Sequence, residues 1–318
     1  MKKIISLIIT VIMMLGVCLA FTACGGNESK IKVNPDKEHY VIGICQLMEH
    51  ESLDKATEGF KAAVTAVLEA EGRTVEFDIQ IPGEANLCST VITSFTAKDV
   101  DLIMANATPA LLAAANGTTT IPVLGTSVTD YNDTFSNNIP ENVSGTSDAV
   151  PFDEQAQMMI DTLGLVAGDK VGVIYCTNES NSVIQYEAVK ALFEAEGIEV
   201  EKYTFSETTE LQAIATSAAN ECKAIYVPSD NTVANNDTIV GVAAEAAGTP
   251  VYTSYGGAIC YASLAIDYYQ LGYKTGEMAA KVLLGQADIT DMEVVTLTPT
   301  VSYNEELCKK LGISVPEN

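Results

Sequence analysis

The feature that most narrows the fold is a repeat of strand-opening motifs. Ile42-Gly43-Ile44 has a counterpart in Val171-Gly172-Val173, Asp101-Leu102-Ile103 in Lys223-Ala224-Ile225, and Ile121-Pro122-Val123 in Thr249-Pro250-Val251. The separations are 129, 122 and 128 residues, counted from Gly43 to Gly172, from Asp101 to Lys223 and from Pro122 to Pro250. Spacings this even imply two domains of one topology. In both, an apolar strand ends in a polar turn and a helical stretch follows. The clearest instance is KAIYVPSDNTV, Lys223 to Val233: β-formers, a stop at Pro228, the turn Ser229-Asp230-Asn231-Thr232, then a helical stretch over 233–247. Such alternation predicts an α/β fold, two doubly wound parallel-sheet lobes joined by a multi-strand hinge. Ligands of such sheets bind at the carboxyl ends of the strands, so two facing edges would form a cleft.

Taken in order, strands are expected over 40–45, 74–81, 101–105 and 121–125, with helices over 52–72, 85–97 and after Pro109. The polar stretch 132–148 reads as a crossover. A helix over 152–165 precedes the second set, with strands over 170–175, 199–205, 223–227 and 249–254 and helices over 182–196 and 210–221. A strand over 261–266, a helix from Asp267 stopped by Gly285, a strand over 293–297 and a short helix over 305–311 end the chain. The lobes are accordingly expected as 38–131 plus 267–286 and 132–266 plus 287–318.

The first residues read as an export signal over 1–23: Lys2 and Lys3, an apolar run over 4–20, then Phe21-Thr22-Ala23-Cys24. Small residues before a cysteine resemble a bacterial lipobox, which makes Cys24 the expected lipidation site. The alternative is an uncleaved membrane anchor, since about 20 apolar residues span a bilayer. Residues 24–37 form the expected tether, and the domain lies outside the cytoplasm on either reading.

A net charge of −25 opposes nucleic acid and polybasic membrane contacts. Arg73 is the only arginine, and His39 and His50 are the only histidines. A site that grips a carboxylate must therefore use lysine, hydroxyls or backbone N–H groups, and His-based catalysis has little to draw on. There is no G-x-S-x-G, no P-loop and no G-x-G-x-x-G after a strand, so no catalytic residues and no cofactor are expected. Past Cys24, Cys45, Cys88, Cys176, Cys222, Cys260 and Cys308 are widely spaced. That spacing opposes a metal site and selects no disulfide pairing.

The loops at the strand ends carry a resemblance that spans essentially the whole mature chain. Gln46-Leu47-Met48-Glu49-His50, Ala107-Thr108-Pro109-Ala110, Val128-Thr129-Asp130, Glu179-Ser180-Asn181-Ser182-Val183, Val227 to Thr232 and Ile266 to Gly272 are similar to those of type I periplasmic-binding-protein-fold lipoproteins of ABC importers. The subfamily resembled binds tryptophan or other aromatic amino acids. The chain departs from it at Glu51, where proline is usual, at Cys176, often asparagine, and in Tyr255-Gly256-Gly257-Ala258, which lacks an acidic residue.

The resemblance implies a monomer that binds an amino acid between its lobes and delivers it to a membrane permease. Thr108 and Ala110, with Thr129 as a second candidate, are expected at the ligand carboxylate, since the chain has almost no arginine. Asp230, then Asp267, are expected at the ammonium. Asn181, Ser182, Asn231 and Thr232 would supply polar contacts from one lobe, and Gln46 and Glu49 would line the other. Tyr268 or Tyr255 would pack on an aromatic ring. The plainer alternatives are helix caps for Thr108, Ser182 and Thr232, a turn-former for Asp230 and a surface position for His50. A sugar or nucleoside ligand, and a sensory receptor acting on a membrane kinase, stay open at this point.

Overall fold

The computed structural model describes residues 31–316, so the expected export signal and Cys24 lie outside the described residues. Residues 32–37 run along the first lobe rather than standing free. The Lys32 N–H donates to the Thr120 carbonyl at 2.7 Å, and the Tyr40 hydroxyl donates to the Asn34 carbonyl at 3.2 Å.

The first run of elements is β1 (His39–Gln46), α1 (Glu51–Ala70), β2 (Thr74–Gln80), α2 (Cys88–Ala97), β3 (Leu102–Asn106), α3 (Thr108–Gly117), β4 (Val123–Val128), the single turn α4 (Tyr131–Thr134) and β5 (Val143–Ser147). The second is α5 (Phe152–Leu163), β6 (Lys170–Cys176), α6 (Ser180–Ala195), β7 (Glu199–Phe205), α7 (Leu211–Glu221), β8 (Ala224–Val227), α8 (Asn231–Ala234), α9 (Asp237–Ala247), β9 (Val251–Thr253) and β10 (Ala262–Ala265). The chain ends with α10 (Tyr268–Leu283), β11 (Val295–Thr296), β12 (Thr300–Tyr303) and α11 (Glu305–Leu311).

These strands form two six-stranded sheets of matching order, β2-β1-β3-β4-β5-β11 and β7-β6-β8-β9-β10-β12. All pairings are parallel except β10 with β12. β3 and β8 are buried along their whole length and apolar except for Asn106 at the end of β3, as strands covered by helices on both faces must be. Order reverses between β1 and β3 and again between β6 and β8, and of the loops at those carboxyl ends the ones after β1 and β8 reach the site.

The first lobe boundary differs from the expected one. β5, inside the stretch read as a crossover, pairs with β4 in the first sheet, so the chain crosses to the second lobe over 148–151. Val143-Ser144-Gly145-Thr146-Ser147 hides its strand character because its buried contacts are hydroxyl bonds. Thr146 Oγ1 lies 3.2 Å from Thr126 Oγ1 and 2.7 Å from Thr275 Oγ1, and the Ser144 hydroxyl donates to the Met292 carbonyl at 2.8 Å. Hydropathy patterning is blind to a polar strand satisfied this way. The segment 287–318 also divides: β11 joins the first sheet and β12 the second. The connections over 148–151, 266–267 and 297–299 make up the hinge.

A second difference is at 235–236, where the expected helix over 233–247 breaks. Asn236 leaves the helical region at φ −128°, and its side-chain amide donates to the Thr232 carbonyl at 2.8 Å, the local competition asparagine brings to a helix interior.

α1 and α10 pack backbone to backbone. A Cβ on Gly272 would lie 1.8 Å from the Ala56 carbonyl oxygen, and one on Gly59 would lie 2.0 Å from the Tyr269 carbonyl oxygen. This contact fixes the first turns of both helices, which carry His50, Ser52 and Tyr268, in one frame.

Candidate ligand-binding site

The facing edges of the two sheets meet around a void of about 10 Å³, room for about one water. The first lobe lines it with His50, Ser52 and Leu53 at the start of α1, Ser127 in β4, Asp148 after β5 and Tyr268 at the start of α10. The second lobe contributes Ser229, Asp230, Asn231 and Ala234 after β8, and Tyr255 after β9. An outer cleft of about 600 Å³ shares His50, Ser52, Ala234, Tyr255 and Tyr268 with the void and carries Glu51, Glu58, Asp237 and Asp267.

Three buried polar atoms of the lining have no hydrogen-bond partner: Ser127 Oγ, Asp148 Oδ1 and Tyr255 Oη. Buried polar groups are nearly always paired, so three orphans around one void are chemically informative. Ser127 is aimed by its backbone. It lies in an irregularity between Gly125 and Val128, where the β4–β5 register shifts, with φ +55°. Bulges re-aim side chains beside functional sites, and a left-handed serine is held there at a cost in strain. Asp148 Oδ2 accepts from the Tyr268 hydroxyl at 2.8 Å. Burial raises the Asp148 carboxyl above its ordinary range, and the nearby Tyr268 and Thr129 hydroxyls pull it back down. The Tyr255 and Tyr268 hydroxyls are driven well above their ordinary range, chiefly by burial.

The carboxylates of the second lobe are already occupied. Asp230 Oδ2 accepts from the Cys176 N–H and the Ser182 hydroxyl, each at 2.8 Å, and Oδ1 accepts from the Val233 N–H at 2.8 Å, capping α8. Burial, then the neighbouring Glu179 charge, push Asp230 well above the carboxylate range. Glu179 accepts from the backbone N–H groups and side chains of both Asn231 and Thr232, over 2.7–2.9 Å. These bonds build the turn after β8 rather than leaving acceptors free.

Hydrogen bonds also cross the cleft. His50 Nε2 lies 3.2 Å from Asn231 Oδ1. The Asn231 amide nitrogen donates to Glu179, which fixes the amide orientation and makes His50 Nε2 the donor. Burial lowers the His50 pKa, so the neutral Nε2–H form fits. On the other flank, Gln185 Nε2 donates to Thr129 Oγ1 at 3.2 Å.

Of the residues singled out in the sequence, Asp230, Asn231 and Tyr268 line the void, and Asp267 caps α10 at the outer cleft. Ser182 and Thr232 stand behind the wall as donors to Asp230 and Glu179, and the Asn181 amide donates to the Ser229 carbonyl at 2.7 Å. Gln46 turns inward, bonding the Met48 carbonyl, Asp54 and Thr57. Glu49 is exposed, and Thr108 and Ala110 are buried at the start of α3; none of the three lines the void. His50, read as a surface residue, is half-buried against Asn231 because the lobes meet there. Ser127 and Asp148 escaped sequence reasoning. Recognising β5 as a strand would have put Asp148 at a carboxyl edge; the Ser127 signal, a polar residue in Gly125-Thr126-Ser127-Val128, is faint.

A family model of ABC transporter substrate binding proteins matches residues 41–318. A tyrosine-binding protein of Clostridioides difficile (strain R20291) is 35% identical over 326 residues, covering 98% of this chain and 93% of the relative. An ABC domain in complex with L-Trp from Streptococcus pneumonia superposes with a TM-score of 0.80 at 29% identity, covering 88% of this chain and 96% of that one. The ligand-free, open structure of a substrate binding protein with adhesive properties from Clostridium difficile superposes with a TM-score of 0.65 at 33% identity, covering 88% and 97%.

Proposed function

This chain belongs to the ABC transporter substrate binding proteins, and from that premise we propose that it captures an aromatic amino acid between its lobes and delivers it to a membrane permease. The observation that carries the ligand class is the set of unpartnered atoms around one void. Asp148 Oδ1 offers a buried anionic acceptor for an ammonium group, and Ser127 Oγ and Tyr255 Oη offer hydroxyls for a carboxylate or for a polar group on the ligand ring. Tyr255, Tyr268, His50 and Leu53 supply the flat and apolar surfaces that an aromatic side chain packs against. The similarity to a tyrosine-binding protein and to a tryptophan complex supports the same class.

Ligand pockets take roughly 300 Å³ or more, so ligand enters only after the lobes part, and the void of about 10 Å³ must widen around it by movement of the side chains that line it. Capture is then a hinge motion: ligand enters the open form and its contacts to both lobes favour closure. The better superposition on the tryptophan complex than on the open structure, despite the lower identity, supports reading this arrangement as the closed one. In this reading the expected export signal and lipidation at Cys24 support a location on the outer face of the membrane.

The test is calorimetric titration with tyrosine, tryptophan and phenylalanine, against a nucleoside and a sugar. Binding of an aromatic amino acid that is lost in Asp148→Asn supports the proposal. Binding only of the sugar or nucleoside, or aromatic binding unchanged in Asp148→Asn, overturns the ligand class or its anchor.

A further inference from the structure

Gln185 lies beside the void without lining it, and the ligand contacts above leave it unused. It sits on α6 in the second lobe and is 1% exposed. Its Oε1 accepts from the Ser229 N–H at 3.0 Å and from the Ser254 hydroxyl at 3.1 Å. A backbone N–H only donates, so the amide is locked with its nitrogen toward the first lobe. There Nε2 donates to Thr129 Oγ1 at 3.2 Å. Thr129 is also buried, outside the void, and its carbonyl is held by the Ser147 hydroxyl at 2.8 Å. Both ends of this bond are therefore pre-set by their own lobes. The Thr129 hydroxyl also stands near the Asp148 carboxyl, whose pKa it pulls down.

We propose that Gln185 and Thr129 form a closure latch, a hydrogen bond made only when the lobes are together, which slows ligand release without touching the ligand. The latch rests on the reading of the void as an amino acid site. Association begins on the open form, where the bond does not exist, so its loss does not slow association and speeds it only to the extent that the latch holds the unliganded protein closed. Release requires the bond to break, so its loss speeds dissociation by about three- to tenfold, the span of one net hydrogen bond. Because neither residue meets the ligand, the effect is the same for every ligand.

Stopped-flow association and dissociation of tyrosine, tryptophan and phenylalanine test this on the wild type, Gln185→Glu, Thr129→Val, Thr129→Ser and the Gln185→Glu/Thr129→Val double variant. Gln185→Glu keeps the acceptor for Ser229 and Ser254 and loses the donor; Thr129→Ser keeps the hydroxyl. Far-UV circular dichroism and melting confirm that each variant is folded. The latch requires faster dissociation in Gln185→Glu and in Thr129→Val, equal across bound ligands, no further increase in the double variant, and wild-type behaviour in Thr129→Ser. Unchanged dissociation in Gln185→Glu overturns it. So does a Thr129→Val effect that persists undiminished beside Gln185→Glu, which would make Thr129 a direct ligand contact. If the wild type binds none of the three amino acids, the functional reading falls. Small-angle scattering then decides the latch: Gln185→Glu must be more extended than the wild type, and equal radii overturn it.

Discussion

Asp148 holds a buried carboxylate with one oxygen unpaired, and that has consequences for stability as well as binding. Its folded-state pKa is raised, so its protonated form is the one the folded chain favours. The stability this confers is present below the ordinary carboxyl value of 3.8 and is lost as pH rises through the raised folded value. At neutral pH the charge is a burden on the protein without ligand. Asp148→Asn is expected to raise the melting temperature near pH 7, a gain of about 1–3 kcal/mol, and the gain is expected to shrink as pH falls toward 4. The same substitution should weaken amino acid binding by about 2–5 kcal/mol, because an ammonium loses its buried partner. Wild-type affinity should also fall with acid through the Asp148 titration, and the variant's should not; titrations at a series of pH values check both. Asp230 behaves differently. It accepts three hydrogen bonds within its own lobe, so Asp230→Ala is expected to cost about 1–3 kcal/mol of stability for each donor left unpaired, read by urea unfolding.

At the scale of elements, the α1–α10 contact and the β4 irregularity place the first-lobe half of the site. Gly272→Ala would drive a Cβ into the Ala56 carbonyl, a backbone atom that has no rotamer to yield. The expected cost is about 3 kcal/mol, the upper end of ordinary overpacking, measured by chemical denaturation. Affinity should fall with it, since the helix starts that carry His50 and Tyr268 must separate. The strand–turn–helix units were legible because their apolar runs are long and their turns are marked by Pro109, Pro228 and Gly72. β5 was not, since its buried side chains are Ser and Thr bonded to Thr126, Thr275 and the Met292 carbonyl, partners far off in the chain. The break between α8 and α9 was missed for a related reason. Asn235-Asn236-Asp237-Thr238 can be taken for the polar face of one continuous helix, whereas the Asn236 side chain bonds back to Thr232 and its backbone leaves the helical region.

For the whole molecule, ligand linkage gives the first expectation. An aromatic amino acid at about 100 times its dissociation constant should stabilise the protein by about 2.7 kcal/mol, seen as a rise in melting temperature. Fatty-acid labelling in cells should mark the wild type and not Cys24→Ser, with release of the variant from membranes. Two lobes of one topology follow from the sequence alone. The repeated β-α pattern leaves few ways to bury its apolar faces, and right-handed parallel crossovers narrow those further. The family resemblance was legible for the same local reason, since its loops are contiguous stretches. The chemistry of the site was not local. Ser127, Asp148, Tyr255 and Tyr268 come from four separate places in the chain, and Gln185 meets Thr129 across a cleft. Whether a polar side chain is spent on its own fold, as with Asp230, or left over for a ligand, as with Asp148, depends on which donors lie within hydrogen-bond reach. Only the folded chain sets those distances.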